Sequence, residues 1–147
     1  MDNELGEKPI QKWAQLAADG NISDAVIEYV RRNDYVSFPE LVRHFEPYLE
    51  TRGTQCITIA PHLLLWAGVS EQFADILCTL LNEEKLHLHP ASIWVYLADG
   101  GFLTLPIPKR RPRDGFKQDY WLPTVLRLVP FTGRRAAKGI VKTRELR

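Results

Sequence analysis

The sequence predicts an α+β protein, and three observations carry that prediction. Apolar residues recur at helical spacing through most of the chain before Lys85, whereas short extended apolar runs bounded by turn residues follow it. Charge is divided along the chain as well. Residues 1–107 carry 7 Lys and Arg against 15 Asp and Glu, a balance of −8, while residues 108–147 carry 12 against 3, a balance of +9. A mainly helical acidic body followed by an extended basic segment is therefore expected, at a size typical of one globular domain.

Three amphipathic helices are predicted in the first fifty residues. The first runs over residues 9–20, and the second, with Ser23 as a candidate N-cap, runs over residues 23–33. Ser37 and Glu40 have the spacing of a capping box, in which each side chain satisfies a backbone N–H of the first helical turn. That pair predicts the start of the third helix.

Extended structure is predicted in the middle and the second half of the chain. Ser70 is a natural N-cap for one further helix, whose inner face carries Phe73, Leu77 and Leu80. Asp99-Gly100 between two apolar runs is typical of a tight hairpin turn. The predicted extended segments are residues 55–59, 86–89, 93–97, 102–107 and 120–129.

The segment 63–77 resembles a helix-turn-helix unit, whose turn commonly reads Ala-Gly-Val-Ser, as residues 67–70 do here. In such a turn glycine closes the first helix in the left-handed conformation, valine fills the gap between the helices, and serine caps the second. The order helix, short strand, helix, helix, hairpin is similar to that of the winged-helix superfamily. The resemblance implies a winged-helix domain over residues 21–107, with a helical extension over 1–20 and a basic strand and arm over 108–147.

The resemblance implies a small DNA-binding or DNA-associated regulatory protein, active in transcription regulation. On the helix after Ser70 the candidate base-facing residues are Gln72, Thr79 and Asn82. Glu71, Asp75 and Glu83 lie among them, no Arg or Lys of this helix precedes Lys85, and carboxylates repel a phosphate backbone. The phosphate grip is therefore expected from two basic clusters, Lys109, Arg110, Arg111, Arg113 and Lys117 in the first and Arg134, Arg135 and Lys138 in the second. The second cluster has the composition of an arm that orders only on binding.

Aromatic residues near the first cluster extend the possible contacts. Phe116, Tyr120 and Trp121 offer flat rings that stack on bases or insert into a groove. The alternative is a protein-binding adaptor or assembly factor that does not contact DNA, with the cationic segment docked on an acidic protein surface, such as the body of another copy. A homodimer through apolar residues of the first helix, Ile10, Trp13 and Leu16, is compatible with either function.

Other classes of site have weaker signals. Cys56 and Cys78 lie among apolar neighbours, which predicts buried thiols in a reducing compartment rather than a disulfide. An acidic N-terminus without an apolar signal core indicates a cytoplasmic protein. His87 and His89 alternate on a predicted strand, but no Cys-x-x-Cys or His-x-x-x-His spacing accompanies them. Because no nucleophile elbow or phosphate-cradling glycine loop is present either, we predict no enzyme activity, metal or cofactor.

Overall fold

The computed structural model describes residues 10–110, 112–134 and 139–146, and over these the chain has the α+β fold that the sequence predicts. The helices are α1 (Lys12–Ala18), α2 (Ile22–Asn33), α3 (Phe38–Phe45), α4 (Glu71–Asn82) and α5 (Ile93–Ala98). The strands are β1 (Arg52–Ala60), β2 (Leu63–Val69), β3 (His87–Pro90), β4 (Tyr120–Trp121), β5 (Thr124–Arg127) and β6 (Lys142–Glu145).

The Ser37 half of the predicted capping box of α3 forms, whereas the Glu40 carboxylate accepts a hydrogen bond from the Tyr29 hydroxyl at 2.6 Å. The Ser37 hydroxyl accepts a hydrogen bond from the Glu40 backbone N–H at 3.3 Å, so it satisfies a donor that the helix leaves unpaired. The Ser37 hydroxyl also donates to the Asp99 carboxylate at 2.5 Å. The cap of α3 is therefore tied to the end of α5, 62 residues away in the chain.

Helix α1 packs on the body with the face that the dimer hypothesis requires. The Trp13 ring meets Tyr29 edge-on with centroids 4.9 Å apart, and it lies 5.2 Å from the Phe45 ring. Leu16 packs against the same core, while Ile10 remains 72% exposed. Two of the three proposed dimer residues, Trp13 and Leu16, thus pack within the chain itself. An isolated seven-residue helix is unstable, so its apolar face needs such a tertiary partner.

The larger sheet has the order β4-β2-β1-β6, and it corrects one prediction. Residues 63–69 form a strand antiparallel to β1 and not the first helix of a helix-turn-helix unit. Pro61 and His62 make the connecting turn, in which His62 takes a φ of +63°. A continuous apolar run of this length fits a buried strand as well as a helix, and pairing along β1 satisfies its backbone groups as a strand.

A second sheet joins the middle of the chain to its later part. β3 pairs antiparallel with β5, and Val36 forms an isolated bridge with Leu126 on the other side of β5. Arg127 holds this corner, because its guanidinium donates to both Asp34 carboxylate oxygens at 2.9 Å and lies 4.1 Å from the centre of the Tyr35 ring. These hydrogen bonds hold the pKa of Asp34 below its ordinary value.

The hairpin predicted over residues 93–107 is also wrong. Residues 93–98 form α5, with Ser92 as its N-cap, and Gly100 at a φ of +87° donates to the Leu97 carbonyl at the helix end. Asp99-Gly100 forms a helix end here. The same dipeptide suits a hairpin turn, because both structures require a residue with positive φ. The packing supports the helix, because Tyr96 is fully buried and its hydroxyl donates to the Thr124 carbonyl at 2.6 Å.

The C-terminal segment is part of the larger sheet, which corrects the prediction of a free arm for its last part. β6 pairs with β1 over residues 142–145, and Val141 before it is buried. β2 pairs with one edge of β1, and without β6 the other edge would leave backbone groups unpaired. The predicted domain boundary at residues 107 and 108 therefore divides elements that share one fold.

Both cysteines are free and buried, as predicted. Burial raises the pKa of the Cys78 thiol to about 12, and it also raises the pKa of Cys56. None of the helices within the described ranges combines the length and apolarity needed to cross a bilayer.

Candidate nucleic-acid interface

Helix α4 presents an acidic outer face. Its N-cap forms as predicted, with the Ser70 hydroxyl accepting from the Phe73 N–H at 3.1 Å. Gln72 and Thr79 are exposed, as a base-reading role requires, but exposed Asp75 lies between them on the same helix face. A helix with this face meets phosphates unfavourably, so α4 by itself is a poor DNA reader.

Asn82, the third candidate base-reading residue, already has two structural partners. Its side-chain amide nitrogen donates to the Val141 carbonyl, and its amide oxygen accepts from the Val141 N–H, both at 2.8 Å. This pairing fixes the chain just before β6 against the end of α4. The prediction that Asn82 faces a base is therefore wrong, because the amide groups are used within the fold.

Most of the first basic cluster lies on one closed loop, residues 107–120, which we call the basic loop. Its two ends meet where the Trp121 N–H donates to the Pro106 carbonyl at 2.9 Å, beside the Tyr120 N–H, which donates to the His62 carbonyl at 2.8 Å. Inside the loop, Gly115 at a φ of +78° donates to the Pro112 carbonyl at 3.2 Å. This turn folds the loop back on itself, in the manner of an Ω-loop.

Asp119 fixes the end of the basic loop to the larger sheet. Arg144 on β6 donates to both Asp119 carboxylate oxygens, at 3.0 and 2.9 Å, and His62 Nδ1 lies 2.9 Å from Asp119 Oδ1. The hydrogen bonds from Arg144, followed by the interaction with His62, lower the pKa of Asp119 to about 2. The loop thus projects from a charged clamp that joins β6 to the β1–β2 turn.

The cations of the basic loop are available to a ligand. Lys109, Arg110, Arg113 and Lys117 are exposed, and none of them forms an ion pair with a carboxylate in the described ranges. In the second cluster Arg134 is exposed. The other predicted phosphate contacts, Arg111, Arg135 and Lys138, lie outside the described residues.

An open groove of about 340 Å³ runs beside these cations. Its lining consists of Ile107, Pro108, Lys109, Arg110, Pro112, Phe116 and Tyr120. Phe116 and Tyr120 form a ring pair, with centroids 4.7 Å apart and planes tilted by 41°. Trp121, the third aromatic residue predicted near the cluster, is instead completely buried. The groove therefore combines two cations with two partly exposed rings.

Sequence reasoning did not identify the residues that position this loop. Asp119 and Arg144 are 25 positions apart, and His62 lies a further 57 positions before Asp119. No periodicity or local motif connects such residues, because the sheet brings them together. The positive φ of His62 could not be predicted either, because this turn position holds histidine rather than the glycine that usually indicates such a conformation.

His89, one of the two histidines of the weak metal signal, contacts other groups of the fold. The His89 Nε2 atom lies 2.6 Å from the Val129 carbonyl oxygen, and its ring packs edge-on against Phe131. In the part of the chain that the structure describes, His, Cys, Asp and Glu side chains do not gather in groups of three able to hold an ion.

Comparison of the whole chain with protein-family models, curated proteins and solved structures finds no match.

Proposed function

We propose that this chain is a nucleic-acid-binding protein that grips phosphates through the basic loop. The observation that carries the proposal is a set of four exposed cations, without ion pairs among the described residues, on a loop closed at its base and clamped through Asp119. A single such cation adds little, but several on one loop can contact several phosphates of the same strand. The buried thiols are compatible with a reducing, cytoplasmic location.

We propose further that a winged-helix unit supports the loop, built from other parts than the sequence predicts. Helix α2, the Val36 bridge, α3, α4, β3 and β5 follow one another in the winged-helix order, with β5 between β3 and Val36. The β1–β2 hairpin is then an insertion between α3 and α4. The basic loop lies in the connection between β3 and β5, which is the position of the wing.

The wing, and not α4, is the contact surface in this proposal. Coulomb repulsion between Asp75 and a phosphate opposes approach of the α4 face, whereas Lys109, Arg110, Arg113 and Lys117 attract a polyanion over about 8 Å at physiological salt. Phosphate contacts carry no information about base sequence. We therefore expect binding that is sensitive to salt and tolerant of sequence.

Neutralising two loop cations tests the proposal. We expect the double variant Lys109→Ala, Arg110→Ala to bind a labelled random duplex more weakly. The negative slope of log affinity against log salt should also become less steep by about 2, because each phosphate contact contributes about 0.9 to its magnitude. Fluorescence anisotropy between about 50 and 200 mM salt measures both quantities.

The matched control removes two exposed cations elsewhere. Arg32 on α2 and Lys142 on β6 are exposed, so Arg32→Ala, Lys142→Ala changes net charge equally while leaving the basic loop intact. Equal weakening by both double variants would contradict a localised grip. Deleting residues 108–147 is uninformative, because that change also removes β4, β5 and β6.

A second candidate function is self-association through charge, with the basic loop of one copy on the acidic α4 face of another. Exposed Glu71 and Asp75, with no cation on that helix, favour it. We expect Glu71→Lys, Asp75→Lys to abolish any low-salt oligomer in sedimentation velocity, and a second reversal in the loop, Lys109→Glu, Arg110→Glu, to restore it. A single monomeric species for the unmodified chain at low salt would contradict this function.

A further inference from the structure

The groove beside the basic loop offers a chemistry that phosphate binding does not require. Lys109 and Arg110 line it together with Phe116 and Tyr120, so cationic and aromatic residues border the same space. A site for phosphates alone needs only the cations. Phe116 and Tyr120 pack against the core but are also partly exposed, so part of each side chain remains accessible to a ligand.

We propose that this groove binds single-stranded nucleic acid, with an unpaired base against the Phe116 and Tyr120 rings and adjoining phosphates on Lys109 and Arg110. The inference rests on the proposed function and names its substrate class. Aromatic rings stack on bases of any identity, and neighbouring cations follow the backbone, which is the combination found in proteins that bind single strands without sequence preference.

The rings are held in place before a ligand arrives. Tyr120 belongs to β4, and its backbone N–H donates to the His62 carbonyl at 2.8 Å. Phe116 follows the turn closed by Gly115 and Pro112, and its ring lies 4.7 Å from the Tyr120 ring. A platform fixed in this way loses little conformational entropy when a base stacks on it.

The choice of a single strand over a duplex follows from the same geometry. In a duplex each base is already stacked on its neighbours and paired with its partner, so its face is unavailable unless it is extruded at a further free-energy cost. A duplex therefore gains only the phosphate contacts at this site. A single strand gains both phosphate contacts and stacking.

Three labelled ligands of about 12 nucleotides separate these contributions: oligothymidylate, a duplex of the same length, and a strand of abasic sugar phosphates. The abasic strand keeps the phosphates and lacks every base. With the full-length chain we expect oligothymidylate to bind about fivefold or more tightly than the abasic strand in fluorescence anisotropy, which corresponds to one stacked base.

Two substitutions at Phe116 assign the preference to the ring. Phe116→Leu keeps apolar bulk and removes the π face, so the preference for oligothymidylate over the abasic strand is expected to disappear. Phe116→Tyr keeps the ring and is expected to retain the preference, even if Phe116→Leu lowers thermal stability. Phe102→Leu is the matched control, because Phe102 is 51% exposed and lies outside the groove.

The outcomes distinguish the two proposals. If oligothymidylate, duplex and abasic strand bind equally and Phe116→Leu changes nothing, the stacking inference is overturned while the phosphate grip stands. If none of the three ligands binds at about 50 mM salt, the proposed function fails and the inference fails with it. A base-dependent preference that Phe116→Leu abolishes and Phe102→Leu preserves supports both.

Discussion

Replacing Trp121 with alanine is expected to lower the free energy of unfolding by about 3 to 5 kcal/mol, the range for removing a large buried aromatic side chain. Trp121 is completely buried, its ring meets Tyr96 edge-on at 4.8 Å, and it lies 6.0 Å from the Trp66 ring. Its indole N–H donates to the Leu65 carbonyl at 3.3 Å. The variant therefore loses apolar contacts and leaves that carbonyl without its indole donor.

Trp121→Phe is the control for this prediction. Phenylalanine keeps part of the aromatic volume but lacks the indole N–H. We therefore expect the free energy of unfolding of Trp121→Phe to lie between those of the wild type and Trp121→Ala. Urea unfolding followed by circular dichroism measures the free energies of both variants. Because the total free energy of unfolding of a globular domain is about 5 to 15 kcal/mol, a loss of this size should be easily measured. An unchanged urea midpoint for Trp121→Ala would contradict the described packing.

Asp119→Asn is expected to destabilise the fold by about 2 kcal/mol near pH 7, and by much less near pH 2. The substitution removes the charge that both Arg144 and His62 contact, and it leaves Arg144, whose side chain is only 22% exposed, without an anionic partner. Partial exposure of Asp119 to solvent keeps the loss below that of a fully buried pair.

The direction of the pH dependence follows from the lowered pKa of Asp119. Its pKa in the folded protein is about 2, below the ordinary 3.8, because Arg144 and His62 stabilise the charged carboxylate. The stabilisation is therefore fully present above the ordinary pKa and is lost as the pH falls towards 2. The difference in unfolding free energy between wild type and Asp119→Asn should narrow over this interval.

Asp114→Asn is the matched control for the pH experiment. Asp114 belongs to the same loop, is exposed, and forms no ion pair within the described ranges. We expect its unfolding midpoint to stay within error of wild type at both pH values. An equal decrease in the free energy of unfolding for Asp114→Asn and Asp119→Asn near pH 7 would contradict a stabilising role for the Asp119–Arg144 clamp.

Local patterns predict those elements whose stabilising contacts are close in sequence. The caps of α3 and α4 form because Ser37 and Ser70 reach backbone N–H groups three residues away, within the same helical turn. The charge of the basic loop can also be predicted from the sequence, because its cations are consecutive or nearly so in the chain. Exposed charges of this density have little reason to be buried.

Local patterns mislead where two structures share one signal. Residues 63–69 are apolar enough for a buried helix or a buried strand, and Asp99-Gly100 suits a hairpin turn or a helix end. The β1 edge decides the first case through main-chain pairing, and burial of Tyr96 decides the second. Neither the edge nor the cavity for that ring exists until the chain has folded.

The sequence by itself determined the α+β class, the buried thiols, the two serine caps and the charge of the loop. Only the tertiary structure decided that Arg127 and Arg144 neutralise the protein's own carboxylates, that Asn82 pairs with the backbone, and that Phe116 and Tyr120 share a groove with Lys109 and Arg110. The physical reason is distance along the chain. Capping and charge density act within a few residues, whereas a clamp or a groove depends on groups that only the folded sheets bring together.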